Sequence, residues 1–248
     1  METEVYSKIF KIEEELWWYQ GRRKVCFGLL DRFLHINPMR SILDVGCGTG
    51  LNLTYLADYG QATGVDMSPE AIRHCEKRGL KNVRLHEANE LPFPNEAFEL
   101  VTAFDVIEHI DDDRGALCEF ERLLKPEGAL LIYTPALPWM FNEHDRRVHH
   151  KRRYTKSELE EKIRSSGFEI DYISYVNLLI LPIVLCARLY FKFLGNSHGE
   201  MVMPPRILNA FFRQICFLES TFLSRFSLPY GMTLVCFAHK PRARDSLQ

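Results

Sequence analysis

The chain has 248 residues, 46% of them hydrophobic and 26% charged, enough to bury a full core and to exclude disorder as the default. A formal net charge of -2 provides no global attraction to nucleic acid or an anionic surface, so any such preference must be local and no nucleic-acid partner is expected. The seven cysteines form no CxxC pair and the start METEVYSKIFKIEEEL lacks a signal peptide's apolar core, which together predict reduced thiols in a cytoplasmic protein.

Segment 1–35 reads as helical, with Trp17, Trp18, Val25, Leu29, Leu30, Phe33 and Leu34 available for one or two apolar faces. From there the pattern alternates: SILDVG as a buried strand, LNLTYLADYG as a helix, QATGVD as a strand and SPEAIRHCEKRG as a helix. Ser68-Pro69 and Ser157 mark two helix starts, and Gly79 and Gly167 the matching ends. Further strands are expected at NVRLHEA, AFELVTAFDV, GALLIYTPA, FEIDYISYV and, late in the chain, YGMTLVCFAHK. The alternation predicts a single α/β domain over 1–248 with a doubly wound, mostly parallel sheet of about seven strands.

Between 176 and 229 the alternation lapses into an apolar helical insertion, its two stretches separated by GNSHGEMVMPP. The run LLILPIVLCA, residues 178–187, falls short of the roughly 20 residues a spanning helix needs. In the second stretch Leu208, Phe211, Phe212, Ile215, Leu218, Phe222 and Phe226 recur at helical spacing, with Arg206, Arg213, Gln214 and Arg225 between them. Three readings stand side by side: a cap over a binding pocket, completion of the core or a homodimer interface, and a surface helix dipping into a bilayer with Arg188 and Lys192 at the headgroups.

The strand ending at Asp44 feeds Gly46-Cys47-Gly48-Thr49-Gly50 into a helix, and the missing side chains let a ligand approach the main chain. The third glycine arrives one residue earlier than in a dinucleotide fingerprint, which argues against a pyrophosphate cradle. Asp66, followed by Met67, closes the next strand, where a carboxylate can accept hydrogen bonds from two ribose hydroxyls.

In order and spacing, LDVGCGTG, GVDMS, EANELPF and FDVIEHI resemble the motifs of class I S-adenosylmethionine-dependent methyltransferases, over about 42–135. The resemblance implies a Rossmann-like fold with a late antiparallel strand, and S-adenosyl-L-methionine as cofactor, leaving as S-adenosyl-L-homocysteine. It also implies that Asp44 and the loop Gly46, Cys47, Gly48 and Gly50 hold the methionine end, Asp66 the ribose, Glu87 and Ala88 the adenine, and that Asp105 closes the pocket. Glu87 stands where the family usually carries Asp.

Methyl transfer from a sulfonium is an in-line displacement, so the protein aligns the nucleophile, excludes water and, for a hydroxyl acceptor, offers a base. Candidate bases are His109 and the cluster His144, Asp145, His149 and His150; Arg146, Arg147, Lys151, Arg152 and Arg153 form a dense basic run beside them. Either that run meets a phosphate or carboxylate on the acceptor, or it is a solvated loop with Tyr154 packed beneath it. If the loop is functional, His150, Arg153 and Tyr154 are the preferred members. A subgroup of unassigned substrate within the same family shares the HD, spaced His and RRYT pattern and a preceding element like WWYQGRR; its usual Gly at position 149 is His here. The set Asp105, Glu108 and His109 also resembles the ExxEH of metal-assisted O-methyltransferases, but Glu108-His109 is common as plain structure and no metal is assigned. The expected function is methylation, at oxygen by preference, of a small-molecule or lipid-linked acceptor, phosphorylated acceptors included. Methylation at nitrogen or carbon and a non-catalytic cofactor-binding scaffold are the alternatives.

Overall fold

A computed structural model describes residues 3–34, 40–193 and 203–242. Two helices, α1 (Thr3–Ile12) and α2 (Trp17–Phe33), precede the alternating part. That part runs β1 (Ser41–Val45), α3 (Leu51–Leu56), β2 (Gln61–Asp66), α4 (Pro69–Lys77), β3 (Val83–Leu85), β4 (Phe98–Phe104), α5 (Asp113–Leu123) and β5 (Leu124–Pro135). There follow α6 (Glu143–Arg147), α7 (Lys156–Ser165), β6 (Glu169–Val176), α8 (Leu181–Phe193), α9 (Arg206–Leu223) and β7 (Thr233–His239).

The seven strands form one sheet in the order β3-β2-β1-β4-β5-β7-β6. Strands β1 to β5 pair in parallel, and β7 inserts antiparallel between β5 and β6, as the family resemblance implied. β4 and β5 read as near-continuous apolar runs because helices cover both faces of the sheet. Chain order reverses at β1, which has β2 on one side and β4 on the other, and a crevice opens beyond the carboxyl ends of such strands. The motifs LDVGCGTG, GVDMS and FDVIEHI all stand at that edge.

Two helix starts differ from expectation. Ser68 precedes α4 with Pro69 in the first turn, yet its side chain makes no cap bond. The cap of α7 is Thr155 rather than Ser157: its hydroxyl and Glu158 form a reciprocal capping box, which the sequence SELEEK obscured by placing a second hydroxyl two residues later.

The insertion divides its work. From α8, Val184 and Leu185 reach the crevice, whereas α9 packs on α2. There Gly21 leaves room for Cys216, where an added Cβ would come within 2.8 Å of Cys216 Cβ, and Trp17 meets the Phe212 ring at 5.2 Å. The buried side of α9 is Cys216, Glu219, Ser220 and Leu223 rather than the full apolar stripe, and Leu208, Phe211, Leu218 and Phe222 are exposed. A carboxylate takes a core position because Glu219 accepts the backbone N–H groups of Asn177 and Leu179 just after β6. No helix among the described residues is long and apolar enough to cross a membrane. Most of GNSHGEMVMPP, and the side chains of Arg188 and Lys192, lie outside what is described.

Candidate active site

A cleft of about 1540 Å³ opens at the reversal of strand order, larger than the roughly 300–1,000 Å³ of a single-ligand pocket, so it has room for a cofactor and an acceptor together. One half is built from backbone. Gly46 and Gly48 adopt φ of 65° and 56°, the left-handed region that costs other residues free energy. An added Cβ on Gly46 would collide with Val106, whereas one on Gly48 would meet no protein atom within 4 Å. That empty volume faces the cleft, and a ligand can lie against the main chain there. Gly50 does not line the cleft; its φ of 82° and the closeness of Cys75 Sγ, 2.8 Å from an added Cβ, make it a packing position against α4.

Asp66 lines the cleft at the end of β2. Its Oδ2 accepts from Gly48 N at 2.9 Å and its Oδ1 from Ser68 N at 2.9 Å, with the Tyr6 hydroxyl 3.4 Å from Oδ1. These bonds aim the carboxylate while leaving lone pairs for ribose hydroxyls. Met67, Glu87 and Ala88 continue the wall, with Met67 67% exposed, and Cys47 closes the floor. Asp44 does not touch the cleft. It is buried under the loop, opposite Gly64 of β2 in register, where Thr102 Oγ1 donates to its Oδ1 at 2.6 Å and Oδ2 has no partner. Burial pushes its carboxyl up to about 7.

The N-terminal helices cover this half. Glu13 accepts from the Thr49 hydroxyl and from Arg78 Nη2 at 2.8 Å, and Tyr6, Ile9 and Leu16 line the wall. Asp105, at φ 55°, lines the cleft and binds the buried Arg22 at 2.6 Å. Sequence reasoning left Arg22, Tyr6 and Glu13 out of the site; the element WWYQGRR was the one signal that could have placed Arg22 there.

The other half gathers at the carboxyl ends of β4 and β5. A short turn, 107–109, follows Asp105, and segment 141–154 is pinned beside it by Lys151 N donating to Glu108 O at 2.8 Å and Tyr154 N to Pro135 O at 3.0 Å. His109 Nδ1 donates to His149 O at 3.1 Å and His150 Nδ1 to Asp145 Oδ1 at 2.9 Å, bringing the two rings to 4.7 Å between centroids. His149 sits at φ 63°, in the left-handed region that favours glycine. Burial, then the neighbouring His150, lowers His109 to about 4. Burial raises the Asp145 carboxyl, but the bonds from His150 and Arg153 outweigh it and hold Asp145 well below the usual carboxylate range. Burial and Asp105 push Glu108 up.

The remaining candidates are struts. Tyr154 is 1% exposed and does not line the cleft; its hydroxyl donates to Asp113 Oδ2 at 2.7 Å. Asp145, fully buried behind His150, also misses the cleft, and Arg153 grips it at 2.8 Å and Ala136 O at 3.2 Å. The basic run is partly compensated: Arg146 and Arg147 share Glu143, Lys151 pairs with Asp111 and Arg152 with Asp113, which Lys162 also holds. An anionic acceptor group is therefore not required by these charges. The set Asp105, Glu108 and His109 does not converge, because Arg22 takes the Asp105 carboxylate; His150 takes its place beside Glu108 and His109.

Residues 43–132 match the family model described as Methyltransferase domain. The Probable S-adenosylmethionine-dependent methyltransferase of Mycolicibacterium smegmatis is 29% identical over 164 residues, 64% of this chain and 62% of that protein. The Ubiquinone biosynthesis O-methyltransferase of Coxiella burnetii is 29% identical over 154 residues, 54% and 62% of the two chains. The matches to these two relatives thus span about three fifths of the relatives' length. Among solved structures, Haemonchus contortus phosphoethanolamine N-methyltransferase 2 in complex with S-adenosyl-L-methionine shares the fold at a TM-score of 0.58 and 22% identity, over 87% of this chain and 52% of that one. Residues 43–132 carry a methyltransferase domain similar to those of S-adenosylmethionine-dependent enzymes, and the glycine cradle and Asp66 fit S-adenosyl-L-methionine.

Proposed function

We propose that the chain transfers the methyl group of S-adenosyl-L-methionine to a small-molecule or lipid-linked acceptor in the cytoplasm, by preference at oxygen. The observation that carries this reading is the continuity of one cleft from the Gly46–Gly48 cradle and Asp66 to the imidazoles of His109 and His150. Bound S-adenosyl-L-methionine supplies an electrophilic methyl on a sulfonium. The cradle would hold the donor's methionine end and Asp66 its ribose, and the cover formed by α1 and α2 excludes water.

At the far corner both Nδ1 atoms donate, to His149 O and to Asp145, which leaves Nε2 of each ring as the nitrogen free to face the cleft. An acceptor hydroxyl can surrender its proton to such a nitrogen as the carbon–oxygen bond forms. His150, backed by Asp145 and Arg153, is the better oriented of the two. Val184 and Leu185 of α8 and Trp17, Trp18 and Trp139 give the entrance an apolar character, which favours an acceptor with an apolar part.

The test is incubation of purified chain and isotopically labelled methyl donor with soluble and lipid extracts, followed by mass spectrometry. Labelled product in either fraction, lost in Asp66→Ala and in His150→Ala, supports the reading, and the labelled atom separates oxygen from nitrogen or carbon. Cofactor binding without any labelled product would replace it with the scaffold reading.

A further inference from the structure

The corner that faces the donor also has the makings of a metal site. We propose that Glu108, His109 and His150 bind one divalent first-row transition ion at the acceptor end of the cleft. One ligand atom from each of the three lies within 4.8 Å of the others.

Each side chain is tied down at the end that a metal would not use. Glu108, fully buried, accepts from the Thr134 hydroxyl at 3.0 Å through Oε2 and leaves Oε1 without any hydrogen bond. A buried carboxylate oxygen with no partner is costly unless something fills the place beside it. His150 Nε2 lies 3.8 Å from that oxygen, too far for a hydrogen bond, while its Nδ1 is fixed by Asp145. His109 Nδ1 is likewise committed to the His149 carbonyl.

Imidazoles whose second nitrogen donates to a carboxylate or a backbone carbonyl are the usual arrangement around a bound transition ion, because the outer bond fixes tautomer and ring direction. Two imidazoles and one carboxylate suit zinc, manganese, iron or cobalt better than calcium or magnesium, which prefer oxygen. Bonds of about 2.1 Å hold neighbouring ligand atoms about 3 Å apart, so occupancy draws Glu108 and His150 together by under an ångström. Both histidines line the cleft, and coordination positions left by three protein ligands open into it. Ligation would engage the same Nε2 lone pairs, so in the metal-bound form an acceptor oxygen bound there would lose its proton to solvent under the ion's polarisation rather than to His150; this inference rests on the methyl-transfer reading for its use, though not for its existence.

The test is titration of chelator-treated full-length chain with cobalt(II), followed by visible absorption and calorimetry, with calorimetric binding of S-adenosyl-L-methionine as the control for folding. Expected are one cobalt ion per chain, loss of the absorption band in His150→Ala and Glu108→Gln, and about 10- to 100-fold weaker binding in Asp145→Asn, which acts through His150. Failure of cobalt to bind, or binding that these variants leave unchanged while they still take up the cofactor, overturns the site. A site that binds cobalt in a chain that methylates nothing upholds the metal and removes the methyl-transfer reading instead.

Discussion

The two ends of the cleft are built on different principles. At the donor end the wall is main chain: Gly46 and Gly48 in left-handed conformations, and one carboxylate, Asp66, held by two backbone N–H groups. At the acceptor end the wall is side chain, with His109 brought to His150 across 41 positions of sequence by bonds from His149 and Asp145. A backbone site needs particular residues at fixed spacing, whereas a side-chain site needs only that distant segments meet.

The sharpest way to break this contrast is at the donor end. Asp66→Ala removes charge-assisted bonds of about 1.5–3 kcal/mol each, and two of them correspond to a loss of cofactor affinity of at least about 100-fold by calorimetry. Gly46→Ala should be as severe, since its Cβ meets Val106 and its φ of 65° disfavours any side chain. Retained affinity in both would mean that the cradle is not the donor site.

At the acceptor end His150→Ala should lower kcat by about 100-fold, the lower range for loss of a general base, with cofactor affinity unchanged. Asp145→Asn should have a smaller effect in the same direction, because it misorients the ring without removing it. A drop in cofactor affinity in either variant would erase the division between the two ends.

The division also explains what was legible in the sequence. The strand positions and the glycine turn leading to Asp66 at the end of β2 were readable because steric need and hydrogen bonding tie them to spacing along short stretches. The assignment of Asp44 to the donor failed because a strand's last acidic residue can turn inward as well as outward, and here it turns toward Thr102. Tyr154 and the far end of the basic run were misleading for a related reason: their partners Asp113 and Asp111 lie about 40 positions away in sequence and meet them only in the fold, whereas Arg146 and Arg147 pair with Glu143 within α6 at a spacing the sequence already offered. Arg22 was missed because Asp105, its partner, is 83 residues away.

Two buried carboxylates, one at each end, carry pH effects of opposite sign. Asp44 is raised from 3.8 to about 7, so the folded state holds its proton more tightly; its contribution to stability is full below the unfolded value and is lost as pH rises toward 7. Asp145 is lowered, so its contribution is full above the unfolded value of 3.8 and is lost as pH falls below it. The stability difference between wild type and Asp44→Asn should therefore move by up to about 1.4 kcal/mol per pH unit between pH 4 and 7, and that for Asp145→Asn only below that window. Urea denaturation of the cofactor-free chain at several pH values reads both. A common window would place the two carboxylates in one environment.

The smallest effect concerns the boundary between machinery and support. If the acceptor corner owes its shape to the pinning of segment 141–154, then Tyr154 is a strut whose loss should be felt in stability alone. Tyr154→Phe keeps the packing of a fully buried ring and deletes a hydroxyl shared between Asp113 at 2.7 Å and Ile107 O at 3.2 Å; Asp113 retains Lys162 at 2.8 Å and Arg152 at 3.0 Å. The remaining cations keep that carboxylate compensated, so the cost should stay near about 1 kcal/mol rather than the larger penalty of an orphaned buried charge. Thermal denaturation should show a lower Tm, with kcat and KM unchanged. A fall in kcat with no change in Tm would instead mean that the hydroxyl takes part in proton movement through Asp113, and the acceptor end would then reach deeper into the fold than the cleft wall.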